Sequence, residues 1–323
     1  MGRYEGTRGS IWVALAAVYF FWGTTYLAIR VGVRTMPPFL MASVRFLIAG
    51  GILYAIAIRT GDRTGDRPTR TQWRSAAIIG SALLLGGNGL VSWAEQSVPS
   101  GLASLIIATV PFWLVLLGRF VLRDRVSLQE WLGIAAGMGG LIFLVNPSSG
   151  AGIDPLGAGL LVAASISWAA GSLYARSAPL PSRPLVGTAM EMLCGGVALG
   201  VVGIAAGELG RVDLSAISLE SLLGLGWLIV FGSLVGFTAY IWLLRVTRTS
   251  LVGTYAYVNP VVAVLLGWAL LGEPITAQAL IAGAVIVVAV ALIVSARTPK
   301  DAPVLVTAKA DAAAELEEQR LSA

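Results

Sequence analysis

The sequence predicts an all-α polytopic membrane protein of ten transmembrane helices arranged as two inverted five-helix repeats. Three observations predict this fold class: an apolar composition, ten apolar runs of membrane-spanning length, and an internal repeat that covers five of those runs. Hydrophobic residues make up 57% of the 323-residue chain and charged residues only 12%, about half the charged fraction of a typical soluble domain. This composition indicates a membrane protein.

The spans are bounded by charged or turn residues. A helix needs about 20 apolar residues to cross about 30 Å of hydrocarbon. The linkers between such runs are too short to hold a soluble domain, so the helical bundle must carry the function. The first run has no small-residue cleavage site before the next linker, and we interpret it as a retained helix rather than a signal peptide. The predicted spans are 11–31, 38–58, 74–93, 99–121, 129–146, 155–175, 185–207, 221–244, 250–271 and 277–296.

Lysine and arginine are distributed unevenly between the two ends of these spans. Eighteen of them flank the spans at the end that carries both termini, and three flank the spans at the opposite end. By the positive-inside rule we expect both termini to be cytoplasmic and the odd-numbered helices to run outward. The net charge of +5 is therefore a topology signal and predicts no binding of nucleic acid.

The two halves of the chain repeat each other. We divide the chain into an N-terminal repeat (1–147), a C-terminal repeat (148–296) and a cytoplasmic tail (297–323). Because five is an odd number of crossings, the second repeat must be inverted relative to the first, a recurrent design in transporters with alternating access. Matched pairs include Trp22 with Trp168 and Pro38 with Pro184 at an offset of 146 residues, and Gly87 with Gly236 and Pro111 with Pro260 at an offset of 149.

Two of these matched residues are prolines inside strongly apolar runs. Pro111 lies in IATVPFWLVLLG and Pro260 in YAYVNPVVAVLLG. A proline within a span kinks the helix and leaves backbone carbonyls that lipid cannot satisfy, so both prolines should face the protein interior. A bend that only improves packing is the alternative. Because Pro111 and Pro260 occupy equivalent positions in the two halves, we interpret them as a helix-kink pair that marks the binding region.

Several segments resemble a known family. They are FFWGTTYLAIR, SVRFLIAGGIL, EQSVPSGLASLI, SISWAAGSLYAR and, most specifically, YAYVNPVVAVLLGWALLGEP. Over roughly residues 10–296 the sequence is similar to the EamA-type transporters of the drug/metabolite transporter (DMT) superfamily, and within them to the YedA-like group of bacterial inner-membrane exporters. The resemblance implies a ten-helix fold of two inverted halves around a central cavity. It also implies export of small metabolites or drugs, with amino acids among the substrates of the family.

Two ionisable residues lie deep in predicted spans, where such groups are costly and face a cavity or a partner. Arg45 and Glu191 occupy equivalent positions in the two halves. Arg45 is a candidate anchor for a substrate carboxylate, or it bonds backbone carbonyls between helices. Glu191 is a candidate proton carrier, because a desolvated carboxylate is stabilised by a proton, or it bonds nearby hydroxyls. We expect Glu95, next to Gln96 at the outer end of the third span, to be a solvated residue at the outer mouth, where it could take part in gating.

Aromatic and amide side chains supply the other candidates for substrate binding. Trp22 and Trp168 are near mid-membrane and next to small residues, so they could form facing walls of a cavity or only fill space between helices. Asn88 is a polar mid-span residue flanked by glycines.

In the ninth span, Tyr255 and Asn259 share a helical face, whereas Tyr257 stands about 160° from Asn259. We include all three as candidate binding residues. Asn259 could bond a substrate, or it could satisfy the carbonyls that Pro260 releases.

These residues predict an inner-membrane exporter of small amphipathic metabolites or drugs that works by alternating access. An uncoupled facilitator of the same fold is the main alternative. An intramembrane enzyme is disfavoured because the chain has one cysteine, no histidine and no paired deep carboxylates. We expect no cofactor and no metal. The expected partners are the lipid bilayer and a small-molecule substrate, with protons and a second copy of the chain as further candidates.

Overall fold

The computed structural model describes residues 7–59, 68–121, 123, 126–145, 154–247, 252 and 254–296. Over these residues the chain forms ten helical spans and no strand. Nine are long and apolar enough to cross a membrane, and α9, with 17 described residues, is the tenth. The spans are α1 (Arg8–Gly32), α2 (Pro38–Arg59), α3 (Arg70–Ala94), α4 (Ser100–Val121), α5 (Leu128–Val145), α6 (Pro155–Ala175), α7 (Pro184–Ala205), α8 (Leu219–Val246), α9 (Tyr255–Leu271) and α10 (Ala277–Ala296).

The predicted spans agree with these helices to within four residues at every terminus except the start of α9, where residues 250, 251 and 253 lie outside the described part. The predicted tail, 297–323, also lies outside it. The ends of the odd-numbered helices and the starts of the even-numbered helices lie at one end of the bundle, which we call the Glu95 end. The starts of the odd-numbered helices and the ends of the even-numbered helices lie at the opposite end, which we call the Arg176 end.

Local sequence signals define the helix ends. Thr69 and Gln72 form a reciprocal capping box at the start of α3. Asp154 caps α6 by accepting hydrogen bonds from the backbone N–H groups of its first turn, and Pro155 follows it. Gly272 ends α9 in the left-handed conformation (φ 66°), which a residue with a side chain rarely adopts.

Helices α3 and α8 contain a π-helical segment in the middle, and these two helices are equivalent in the repeat. The segments are Ser81–Gly89 in α3 and Leu228–Val235 in α8. In a π-helix each backbone N–H reaches one residue further back than in an α-helix, which shifts the side chains that follow, and such segments are frequent at functional sites. Nothing in the hydrophobic pattern predicts them.

The two prolines act differently on their helices. Helix α4 is interrupted at residues 108–109, between Ile107 and Val110. Pro111 has no N–H to donate, and the preceding turn tightens, with the Thr109 N–H donating to the Ile106 carbonyl at 3.1 Å. Helix α9 continues through Pro260.

The helix pairings follow the repeat. Helix α2 packs on α7, α5 on α10, and α4 on α9, and each of these is a pair of equivalent helices. Helix α1 packs on α8 and α9, and its equivalent α6 packs on α3 and α4. Exchanging the two halves therefore leaves this set of contacts unchanged, as expected for halves related by a two-fold axis.

Candidate functional site

A cavity of about 400 Å³ lies between the two halves, lined by residues from α1, α2, α3, α4, α6, α8, α9 and α10. Its volume is typical of small-molecule sites. Eight residues singled out in the sequence line it: Trp22, Arg45, Asn88, Pro111, Trp168, Tyr255, Asn259 and Pro260.

The cavity is closed at the Glu95 end and reaches solvent at the Arg176 end. Toward the Glu95 end its lining includes Ile29 and Ser104, whose side chains are 2% and 1% exposed. At the opposite end the lining includes Arg176, which is exposed. A ligand would therefore enter past Arg176.

Trp22 stands in an aromatic cluster on one side of the cavity. Its indole Nε1 donates to the backbone carbonyl of Gly232, in the π-helical segment of α8, at 3.1 Å. Its ring centroid lies 5.1 to 5.3 Å from those of Phe237, Tyr240 and Tyr255. These contacts hold the indole at the cavity wall with its one donor satisfied.

Arg45 is the buried cation of this site. Its side chain is 3% exposed, and its Nε donates to the Ser233 hydroxyl of α8 at 3.0 Å. Its guanidinium also lies 4.6 Å from the centroid of the Phe46 ring. Among the described residues that line the cavity there are two arginines, Arg45 and Arg176, and no aspartate or glutamate. The lining therefore favours a negatively charged group on the ligand.

Asn259 connects α9 to α1. It is 7% exposed, and with its amide oriented to satisfy both partners its nitrogen donates to the carbonyls of Tyr19 and Tyr255 at 3.1 and 3.3 Å. Asn88, in the π-helical segment of α3, has its amide nitrogen 3.5 Å from the Leu83 carbonyl, at the limit of hydrogen bonding. Its amide therefore has capacity left for a ligand in the cavity.

Two predicted site residues, Glu191 and Tyr257, are not among those that line the cavity. Glu191 is partly buried in α7, where its backbone carbonyl approaches Gly80 of α3 so closely that a methyl group at Gly80 would overlap it. Tyr257 packs at the edge of the main hydrophobic core. Their assignment to substrate binding stays a prediction.

The expectation that Glu95 is a solvated mouth residue is wrong. Glu95 is 0% exposed, because the linker after α3 lies against α1, where the Glu95 backbone carbonyl accepts a hydrogen bond from Arg30. The sequence analysis did not single out Ser233 and Glu273 as functional residues. No pattern in the sequence distinguishes Ser233 from other serines. Glu273 could have been singled out in the segment LLGEP, because it directly follows a glycine that ends a helix.

Ten spans built from two equivalent halves, with a partly polar cavity between them, define a repeat-built membrane transporter. A sequence model described as the EamA-like transporter family matches residues 7–146 and again residues 155–295, and the chain belongs to this family. It is therefore a transporter and not an enzyme.

Individual relatives agree with this assignment. The chain is 44% identical over 283 residues to the uncharacterized inner membrane transporter YedA of Escherichia coli K12, which covers 87% of this chain and 89% of that protein. It is 28% identical to a probable amino-acid metabolite efflux pump of Salmonella typhimurium, over 84% of this chain and 90% of that protein. A crystal structure at 21% identity matches 91% of this chain and all of its own, with a TM-score of 0.60, and shows the fold alone.

Proposed function

We propose that this protein is an inner-membrane exporter of small amphipathic metabolites that carry a carboxylate, with apolar and aromatic amino acids as the foremost candidates. The observation that carries the proposal is the charge of the cavity: Arg45 is buried in its wall, and its described lining contains no acidic residue. The names of two relatives, an inner membrane transporter and a probable amino-acid metabolite efflux pump, support the same location and substrate class.

The residues that line the cavity support recognition of both the charged and the apolar part of an amphipathic molecule. Arg45 supplies a guanidinium that can donate two parallel hydrogen bonds to a carboxylate, while the Nε–Ser233 bond holds its stem. Trp22, Trp168 and Tyr255 supply aromatic surface for an apolar side chain. A cationic drug would instead bring its charge next to Arg45 with no acidic residue in the described lining to offset it.

The inverted halves and the buried lining of the cavity toward the Glu95 end support alternating access. The excess of arginine at the Arg176 end supports a cytoplasmic position for that end and for both termini. The cavity would then face the cytoplasm in this conformation, as a loading state for export requires. Exchange of the conformations of the two halves would close the Arg176 end and open the Glu95 end.

The test is uptake and counterflow in proteoliposomes that contain the purified protein. Labelled phenylalanine or leucine should exchange across the membrane, and the unlabelled amino acids should compete. The corresponding amines, which lack the carboxylate, should compete poorly. Equal competition by amines and by cationic dyes would overturn the proposed substrate class.

An uncoupled facilitator remains the second candidate, and the absence of acidic side chains from the described lining favours it. The two mechanisms differ in whether a pH gradient drives accumulation. An imposed gradient should raise the accumulated amount for a coupled exporter, and Glu191→Gln tests whether this carboxyl carries the proton. Equal fluxes with and without a gradient support the facilitator.

A further inference from the structure

Glu95 is a buried carboxyl group that has no hydrogen-bond partner among the described residues. It directly follows α3, its side chain is 0% exposed, and neither carboxylate oxygen receives a hydrogen bond from the described residues. Glu208 and Glu273, at the same end of the bundle, differ in this respect. Glu208 accepts from the backbone N–H groups of Phe39 and Leu40 at 3.3 and 2.9 Å.

Glu273 is fixed by three hydrogen bonds at the start of α4. Its carboxylate accepts from the Ser100 N–H at 2.8 Å, the Ser100 hydroxyl at 2.9 Å and the Gly101 N–H at 3.1 Å. These bonds join the linker between α9 and α10 to the start of α4. Because Glu273 lies close enough to repel a charge on Glu95, it disfavours the ionised form of that group.

The other charged and titratable groups near Glu95 do not neutralise it. Arg30, on α1, donates its guanidinium hydrogen bond to the backbone carbonyl of Glu95 and not to its carboxylate. Tyr26, also on α1, lies within electrostatic range of Glu95 and lines the cavity below it. Asp154, just before α6, is partly exposed, and its carboxylate accepts a hydrogen bond from the Ser97 hydroxyl at 2.7 Å.

An ionised carboxylate in this position would be desolvated and would have no hydrogen-bond donor among the described residues, a state that is strongly disfavoured in protein interiors. Binding one proton removes the charge without requiring any further space. Burial, and then the charge of Glu273, raise the pKa of Glu95 well above its ordinary value, while Arg30 opposes the shift. Burial without a hydrogen-bond donor therefore favours the protonated form of this carboxyl group in the closed state.

We propose that Glu95 is a proton-binding site that is occupied when the Glu95 end is closed and emptied into the water on that side when this end opens. The inference rests on the alternating access of the proposed function. Opening would separate the α3–α4 linker from α1, break the contact between Arg30 and the Glu95 carbonyl, and expose the carboxyl group. Exposed Glu95 ionises at its ordinary pKa, and the proton passes to water.

The direction of the pH dependence follows from the coupling between proton binding at Glu95 and closure of the Glu95 end. The closed state binds the proton more tightly than the open state, because the pKa of Glu95 is raised only when it is buried. Closure is thus fully stabilised at a pH below the ordinary pKa of glutamate. This stabilisation is lost as the pH rises toward the raised pKa of the closed state. In that range the ratio of closed to open protein falls by up to about tenfold per pH unit, the limit for one linked proton.

The experiment measures this equilibrium directly in the full-length protein. Spin labels are attached at Arg34, on the linker that follows α1, and at Gln96, on the linker that follows α3, in a Cys194→Ala background; both residues are exposed. The distance between the labels is measured by pulsed electron resonance in lipid nanodiscs, without substrate, from about pH 5 to about pH 9. In the unaltered site the short, closed distance should give way to a longer one as the pH rises.

Three variants distinguish Glu95 from its neighbours. Glu95→Gln and Glu95→Met cannot ionise and should keep the short distance at every pH. Glu208→Gln, which alters a buried carboxyl group already bonded to backbone N–H groups, should keep the pH dependence of the parent protein. A pH-independent distance in the parent protein, or an unchanged pH dependence in both Glu95 variants, would overturn the proton site.

Transport by the same preparations separates this inference from the proposed function. If phenylalanine and leucine exchange across the membrane but the distance between the labels does not depend on pH, the proposed proton site is refuted and the proposed export function is supported. If the distance depends on pH and this dependence is lost in the Glu95 variants, but no substrate with a carboxylate is transported, the proposed substrate class is refuted and the proton site is supported.

Discussion

The indole of Trp168 lies directly against Gly87. A methyl group at Gly87 would stand 2.7 Å from a ring carbon of Trp168. The repeat-equivalent pair, Trp22 and Gly236, shows the same relationship, because a methyl group at Gly236 would stand 2.4 Å from the Trp22 indole nitrogen. Each half thus contributes one cavity tryptophan, and each tryptophan packs on a glycine in or beside the π-helical segment of the other half.

We predict that Gly87→Ala and Gly236→Ala each displace a tryptophan and impair transport. Forcing a methyl group into a closely packed site costs about 1–3 kcal/mol. The melting temperature in detergent should fall in both variants. Tryptophan fluorescence should shift, and the rate of amino-acid counterflow should decrease.

Gly51→Ala is the matched control for these two variants. Gly51 lies within α2, and a methyl group there would meet no atom within 4 Å. Its melting temperature and counterflow rate should equal those of the parent protein. A similar loss in all three variants would indicate a general effect of alanine and not of the tryptophan contact.

Arg45→Met should weaken the transport of substrates that carry a carboxylate. A hydrogen bond to a charged group contributes about 1.5–3 kcal/mol, so KM for phenylalanine should rise about 10- to 150-fold. The same variant should improve competition by phenethylamine, because the buried positive charge is gone. Competition binding with both ligands measures the two effects, and a parallel loss for both would indicate structural damage instead.

Ser233→Ala tests how Arg45 is held. The Ser233 hydroxyl accepts from the Arg45 Nε at 3.0 Å, so its removal frees the stem of the guanidinium while leaving its charge in place. We expect a smaller rise in KM than for Arg45→Met, with selectivity for carboxylates retained. An effect as large as that of Arg45→Met would show that the hydroxyl itself contacts the substrate.

Glu273→Ala should destabilise the closed Glu95 end. The substitution removes the hydrogen bonds that Glu273 accepts from Ser100 and Gly101, and loss of a helix-capping acceptor costs about 0.5–2 kcal/mol. Gly267→Ala should have the same effect, because a methyl group there would stand 2.3 Å from a Glu273 carboxylate oxygen. The measured quantity is the distance between labels at Arg34 and Gln96. Unchanged distances in both variants would exclude a role for Glu273 in closure.

The orientation of the bundle in the membrane can be determined by labelling single cysteines introduced in a Cys194→Ala background. Leu214, between α7 and α8, and Ser177, between α6 and α7, are both exposed and lie at opposite ends. An impermeant thiol reagent added to intact spheroplasts should label a cysteine at position 214 and leave position 177 unreacted. Labelling of position 177 alone would reverse the proposed orientation.

Much of the site could be predicted from the sequence because the chain repeats itself. Equivalent positions in two halves meet near a shared axis, and this brought Trp22, Trp168, Pro111 and Pro260 to one cavity. The repeat places Glu191 at the position equivalent to Arg45 and so predicts a site role for both residues, but of the two only Arg45 is among the described residues that line the cavity. The repeat relates positions along the chain and does not tell which face of each helix turns inward.

The sequence by itself determined the ten spans, their apolar character and the repetition of the halves, because hydrophobicity and self-similarity are properties of the chain read in order. Only the tertiary structure decided that the Glu95 carboxyl group is buried with no hydrogen-bond partner in the described part of the chain, that Ser233 holds Arg45, and that two tryptophans pack on two glycines. Those features depend on contacts between residues far apart in sequence. In a bilayer, the close fit of helices and the satisfaction of each polar group decide such contacts, and hydropathy alone does not.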